Sequence, residues 1–277
     1  MKRVLTALIL IPIALVLVFL GPRWQWLFTM AVAAVAALAA WEFLGLAQKA
    51  GAKPPRIAVL AAILALFAGN FEWPDQTAAT LGILSLGLLI YCTFSRPVEQ
   101  VIADVSSSIF GLLYIGFTLI SLPILREQTN GPSLVAFLLC VVWAGDTAAL
   151  YAGRRWGRHK LAPTISPNKS WEGALGSVAG GLLVTGFLLG LEHLLKARFD
   201  SAWLSYPEDI WYWMRLSVVV NVAAQVGDLV ESALKRSAGV KDSGTLLPGH
   251  GGVLDRIDAL LIASPVLWYA LLIHQPF

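Results

Sequence analysis

Residues 133–152 read Ser-Leu-Val-Ala-Phe-Leu-Leu-Cys-Val-Val-Trp-Ala-Gly-Asp-Thr-Ala-Ala-Leu-Tyr-Ala, a long apolar run with one charged side chain, Asp146. A helix rises about 1.5 Å per residue, so a run of this length crosses a hydrocarbon core of about 30 Å. Eight further apolar runs lie at about 4–20, 24–46, 57–70, 77–94, 106–125, 173–191, 210–230 and 257–273. The run at 57–70 is short, and the one at 210–230 ends among polar groups. Lipid offers the backbone no hydrogen-bond partner, which leaves helices or closed barrels, and the period-2 alternation of a barrel is absent. Composition agrees. The chain is 57% hydrophobic and 13% charged, with mean hydropathy +0.72, whereas soluble domains are about a quarter charged. The expected fold class is all-α: a polytopic integral membrane protein of about nine transmembrane helices.

Charge sets the expected orientation. With nine spans and a cytoplasmic N-terminus, fifteen Lys and Arg fall on inside segments, among them Lys49, Arg155, Lys169, Lys235 and Lys241. Only Arg23, Arg126, Lys196 and Arg198 fall outside, and Arg215 lies within a span. Basic residues concentrate on the cytoplasmic side, so the polar loops 153–172 and 231–256 are expected there. Met1-Lys2-Arg3 followed by an apolar run is reminiscent of a signal peptide, but no small-x-small cleavage site follows. A retained first helix is the expectation. Cys92 and Cys140 fall inside spans, where a small apolar packing role is the default.

Residues 1–277 are read as a single integral membrane domain. Residues 1–105 look like helical scaffold, and 106–277 carry the ionisable groups. No repeat, low-complexity tract or soluble domain is visible. Trp24, Trp26, Trp41, Trp73, Trp171, Trp211 and Trp213 lie near span ends, as interfacial aromatics do. Glu42, near the inner end of the second span, is read as a carboxylate that snorkels or pairs with Lys49.

The second half differs. Lys235, Arg236, Lys241, His250, Arg256 and the carboxylates Asp242, Asp255 and Asp258 crowd into a glycine-rich segment beside apolar spans. Charge beside lipid is costly and marks function. Asp228 and Glu231 stand at i, i+3, as do Asp255 and Asp258, so each pair shares a helix face. Such acids supply oxygens to Mg²⁺, which takes a few carboxylates plus phosphate and water. A single pair would be read as a salt bridge. Four acids and four bases beside apolar helices favour a site. Asp146, in the sixth span, is placed on the same side of the membrane.

Gly153-Arg154-Arg155-Trp156-Gly157-Arg158-His159-Lys160 is a basic cluster whose plain reading is attraction to anionic lipid. Ser166-Pro167-Asn168-Lys169-Ser170 lies just before the seventh span, where backbone N–H groups and Lys169 are suited to phosphate. It is not a P-loop, since Gly-x4-Gly-Lys-Ser/Thr is absent. His250, in Pro248-Gly249-His250-Gly251-Gly252, has no partner at metal spacing and is assigned to loop architecture or phosphate contact.

The pattern Ser232-x2-Lys235-Arg236-x4-Lys241-Asp242-x-Gly244-x2-Leu247-Pro248-x-His250-Gly251-Gly252-x2-Asp255-Arg256-x-Asp258 resembles the signature of the phosphatidate cytidylyltransferase (CDP-diacylglycerol synthase) family. Gly-Asp-Thr-Ala-Ala at 145–149 and Ser-Pro-Asn-Lys-Ser-Trp-Glu-Gly at 166–173 resemble the family's other landmarks. The resemblance implies a nucleotidyltransferase converting CTP and phosphatidate to CDP-diacylglycerol and pyrophosphate in phospholipid biosynthesis. It implies a bacterial-type inner (cytoplasmic) membrane, a site facing the cytoplasm, a homodimer and no nucleic acid partner. Asp228, Asp255, Asp258 and Lys241 are then expected as catalytic residues. Asp146, Asn168, Lys169, Lys235, Arg236, His250 and Arg256 are expected to bind substrate. Mg²⁺, as one ion or two, would be held by Asp228, Glu231, Asp255 and Asp258. A polyprenol kinase would need a base for a hydroxyl. A CDP-alcohol phosphotransferase is disfavoured by the lack of any Asp-Gly pair. A transporter would place its charges near the midplane between repeats.

Overall fold

The computed structural model describes residues 2–199, 203–244 and 251–274, with side chains from Ile11 onward. In chain order the helices are α1 (Lys2–Phe19), α2 (Gln25–Lys49), α3 (Arg56–Glu72), α4 (Thr77–Ser95), α5 (Val101–Gly111) and α6 (Ser121–Glu127). There follow α7 (Gly131–Trp156), the strands β1 (Lys160–Ala162) and β2 (Ser166–Ser170), α8 (Trp171–Phe199), α9 (Ile210–Ser237) and α10 (Leu254–His274). Among the described residues, seven helical stretches are long and apolar enough to cross a membrane. The shorter α1 and α3 fall on the two remaining apolar runs, and α3 has 17 residues.

Three kinds of feature differ from the sequence expectation. The fifth run is not one regular helix: a π-helical stretch, Leu112–Phe117, separates α5 from α6. Gly116 lies within this stretch and Pro123 in α6 beyond it, and π-bulges and proline are the usual causes of such breaks. Second, α7 continues to Trp156, which places Arg154 and Arg155 in its last turn, where cations complement the helix C-terminus. Likewise α9 runs to Ser237, so Lys235 and Arg236 are helical rather than in a loop. Third, the loop after α7 contains an antiparallel hairpin, pairing Lys160 with Ser170 and Ala162 with Ser166. Its turn is closed by Ile165 N–H donating to Ala162 O at 3.2 Å, and Pro163 supplies the φ that the turn's second position favours.

The chain divides into two compact units, Met1–Pro123 with Leu234–Ile257, and Ile124–Ala233 with Asp258–Phe277. In the first unit, the small side chains Ala36, Ala39 and Ala40 of α2 are wholly buried, which lets neighbouring backbones approach closely. Phe43, Phe110 and Tyr114 pack together with ring centroids 5.2–6.1 Å apart. Asp104 is fully buried and accepts the backbone N–H of Lys53 at 2.5 Å, with Arg96 3.9 Å away. It pins the α2–α3 connection.

In the second unit α7 and α8 pack through small residues. A Cβ on Gly176 would meet Ala152, and one on Gly180 would meet Ala148 and the carbonyl of Ala144. This small-residue seam suits helices in lipid, where close backbone approach replaces the hydrophobic effect. Trp213, expected at the interface, is instead 1% exposed. It packs edge-on against Phe137 at 5.1 Å and Tyr206 at 5.0 Å, a geometry aromatic rings prefer. The other end-lying tryptophans, such as Trp73 and Trp211, are exposed as expected.

Candidate functional site

Ser170 ends β2, and its Oγ accepts the N–H of Gly173 at 3.1 Å, the geometry of an N-cap. Glu172, in the first turn of α8, accepts the N–H groups of Arg158 and His159 at 3.1–3.3 Å, and its Oε1 lies 2.7 Å from His159 Nδ1. The basic connection is thereby tied to the start of α8. Nothing in the spacing assigned Glu172 a role, although it sits inside the 166–173 motif.

With β2 fixed, Lys169 reaches α9. Its Nζ lies 2.6 Å from Asp228 Oδ2, and both side chains keep partial solvent access. They line a cavity of about 280 Å³ together with Asp146, Asn168, Ser170 and Gln225. Gln225 donates to Asn221 Oδ1 at 2.8 Å and to Ala174 O at 3.3 Å, which fixes the floor. A Cβ on Gly145 would collide with Asn221, so the glycine before Asp146 lets α7 and α9 close up. The product is a pocket with two carboxylates, one ammonium and an exposed amide, all within the second unit. An anion entering it meets Lys169; a divalent cation meets Asp228 and Asp146.

The first unit holds a second polar cluster. Lys235 Nζ lies 2.6 Å from Asp255 Oδ1, with side chains 13% and 8% exposed. Asp255 Oδ2 accepts from Gly252 N at 2.8 Å, Ser243 Oγ at 3.0 Å and Ser243 N at 3.1 Å. An acid in the first turn of α10 also suits the helix dipole. Gly251 has φ +81°, a conformation natural to glycine. A Cβ there would stand 2.7 Å from Asp255 Oδ2. The glycines of the segment therefore make room for the carboxylate.

Glu42 belongs to this cluster, contrary to the sequence expectation. It is 5% exposed and does not pair with Lys49. Its Oε2 accepts from Leu254 N at 2.9 Å and Ser243 Oγ at 3.2 Å. The available signal was a carboxylate inside an apolar span.

The remaining expected residues are distributed as follows. Glu231 is fully buried in α9 and does not line the cavity that Asp228 opens into. Asp258 accepts the N–H of Ala259 at 2.8 Å in α10. The backbone carbonyl of Asp258 would meet any Cβ on Gly227. Arg236 donates to Val240 O at 3.4 Å, and Lys241 and Arg256 are exposed. His250 lies outside the described residues. Among the described residues no group of three or more His, Cys, Asp or Glu is gathered to hold a metal. A divalent ion at this site would rely on one or two carboxylates and substrate oxygens, the usual mode for Mg²⁺.

Comparison with known proteins shows the family of the chain. The profile of the cytidylyltransferase family matches residues 1–274. A protein of Pseudomonas aeruginosa named phosphatidate cytidylyltransferase is 35% identical over 280 residues, covering 97% of each chain. A Synechocystis protein of the same name is 32% identical, covering 99% of this chain and 97% of its own. A Brucella suis protein, also so named, is 44% identical over 163 residues, and that match spans 54% of its length. The matched region thus spans about half the length of the Brucella relative.

Proposed function

The chain belongs to the cytidylyltransferase family, and from that premise we propose that it is a phosphatidate cytidylyltransferase, forming CDP-diacylglycerol and pyrophosphate from CTP and phosphatidate. The observation that carries the reading is the pocket in which Lys169 meets Asp228 beside Asp146 and Asn168. In the reaction an oxygen of the lipid phosphate attacks the α-phosphorus of CTP. A new P–O bond forms, the bond to the β-phosphate bridging oxygen breaks, and pyrophosphate leaves with that electron pair. The nucleophile is already an anion, so no general base is required. The main obstacle is charge: two polyanions must meet and a third must depart.

The basic residues answer that need. Lys169 takes one phosphate in the cavity of the second unit. Lys235, Arg236, Lys241 and Arg256 supply positive charge along the signature segment. Asp228 and Asp255 hold Lys169 and Lys235 in place until phosphate arrives. The residues also fit Mg²⁺: Asp228, with Asp146 on the same wall of the cavity, would hold it, and substrate oxygens and water would complete its ligands. When bound, the ion would neutralise phosphate charge and polarise the α-phosphoryl group. The bilayer supplies the second substrate with its acyl chains still in lipid, while CTP arrives from water. The family resemblance further suggests a homodimer in a bacterial inner membrane.

The positive-inside bias supports a cytoplasmic site. A topology test follows. Thr164 is exposed in the hairpin turn, so Thr164→Cys, in a protein lacking Cys92 and Cys140, should react with an impermeant thiol reagent in inverted vesicles and not in intact cells. Labelling from outside intact cells would reverse the orientation. The activity is tested with purified protein in phosphatidate–detergent micelles. Pyrophosphate release from CTP should require phosphatidate and disappear when diacylglycerol replaces it. Release that continues unchanged with diacylglycerol would refute the substrate assignment.

A further inference from the structure

Glu42 is a carboxylate in the middle of an apolar sequence, Ala40-Trp41-Glu42-Phe43-Leu44, and a group of this kind is costly in such a setting unless it is used. Its Oε2 accepts two hydrogen bonds, from Leu254 N and Ser243 Oγ, which lie 212 and 201 positions away in the chain. Among the described residues its buried Oε1 has no hydrogen-bond partner. The segment is shaped around it: a Cβ on either Gly244 or Gly252 would collide with the carboxylate. Ser243 Oγ stands between Glu42 Oε2 at 3.2 Å and Asp255 Oδ2 at 3.0 Å. Leu254, the other residue Glu42 holds, is the neighbour of Asp255 and the first residue of α10. The line of contact therefore runs from α2 through Ser243 and Leu254 to Asp255, and from Asp255 to Lys235 at 2.6 Å. Every member of this chain lies in the first unit.

We infer that Glu42 is a positioning residue for the transfer reaction: by fixing Ser243 and Leu254 from α2, it sets the Asp255–Lys235 pair in its working geometry. The inference rests on the proposed cytidylyltransferase activity. Glu42 touches no reacting atom in this role. It acts only through the segment it holds, and an acceptor oxygen at this position is what the role demands.

Two substitutions separate that demand from simple packing. Glu42→Gln keeps length and one carbonyl acceptor; Glu42→Met keeps length and removes both oxygens. Hydrogen–deuterium exchange of residues 251–254 reads the Leu254 hydrogen bond directly, with the α2 and α3 amides as internal reference. Glu42→Gln should hold kcat within about threefold of wild type and keep the 251–254 amides protected, because the amide carbonyl accepts the same bonds. Glu42→Met should lower kcat roughly ten- to a hundredfold and speed exchange at 251–254 alone, since it leaves buried donors unsatisfied. Wild-type kcat and wild-type exchange in Glu42→Met would overturn the inference. So would equal losses in the Gln and Met variants, or exchange speeding equally through α2 and α3. If Glu42→Met does not fold, Ser243→Ala makes the same decision. It should slow turnover and free the same amides, and unchanged kcat there overturns the inference. Wild-type protein inactive toward CTP and phosphatidate would sink the proposed function instead, and the exchange measurement would still decide whether Glu42 fixes the segment.

Discussion

Asp255→Asn should reduce CDP-diacylglycerol formation by about a hundred- to a thousandfold while leaving a folded protein, because it takes the counterion from Lys235, a cation assigned above to the phosphates, and removing one such electrostatic contact costs about 10²–10³ in rate. The pair in question is Asp255–Lys235, 2.6 Å apart with both side chains largely buried. Asparagine keeps the volume and removes the charge. Its amide nitrogen must also go somewhere. Placed at the Oδ1 position it confronts the Lys235 ammonium; placed at Oδ2 it confronts the donors of Ser243 and Gly252. Either orientation sets donor against donor. Initial rates at saturating CTP and Mg²⁺, with gel filtration to establish folding, check the result. Turnover near that of wild type would remove Asp255 from the active machinery.

Lys169→Ala should lower activity about ten- to a hundredfold, the effect of losing a charge-assisted hydrogen bond of roughly 1.5–3 kcal/mol. Lys169 projects from β2 into the cavity and meets Asp228 at 2.6 Å. The exposed Arg155 belongs to the neighbouring basic cluster and serves as the comparison. If that cluster acts by attraction to anionic lipid, Arg155→Ala loses about 1 kcal/mol, and added anionic lipid restores it. Lys169→Ala should not be restored that way. Rates measured across a series of anionic lipid fractions distinguish the two. Equal losses in both variants, or recovery of Lys169→Ala with lipid, would remove the 166–170 segment from the site.

The all-α membrane class was legible because apolar run length is a one-dimensional property, and all nine runs fall on helices of the structure. The break between α5 and α6 was not legible, since an unbroken apolar run carries no mark of a π-helical stretch. The hairpin was missed because its strands are short and polar and lack the alternation that marks a strand. Within the site, the sequence pointed to Asp228, Lys169, Lys235 and Asp255 through charge density and spacing. It did not pair them. The i, i+3 rule joined Asp228 with Glu231, but Glu231 is buried in α9 and Asp228 turns to Lys169 on β2. Glu42 escaped because its partners lie some two hundred residues away, and no local pattern encodes a contact of that range. Asp104 escaped likewise, since Lys53, whose N–H it accepts, lies 51 residues away.

The central claim is that a nucleotidyl group, rather than a terminal phosphate, passes to the lipid. Parallel reactions with CTP labelled at the α- or the γ-phosphorus, followed by organic extraction, test it most directly. The α label should enter the lipid phase in a phosphatidate-dependent manner, while the γ label stays in water as pyrophosphate. Appearance of the γ label in the lipid phase would identify a lipid kinase and contradict the account.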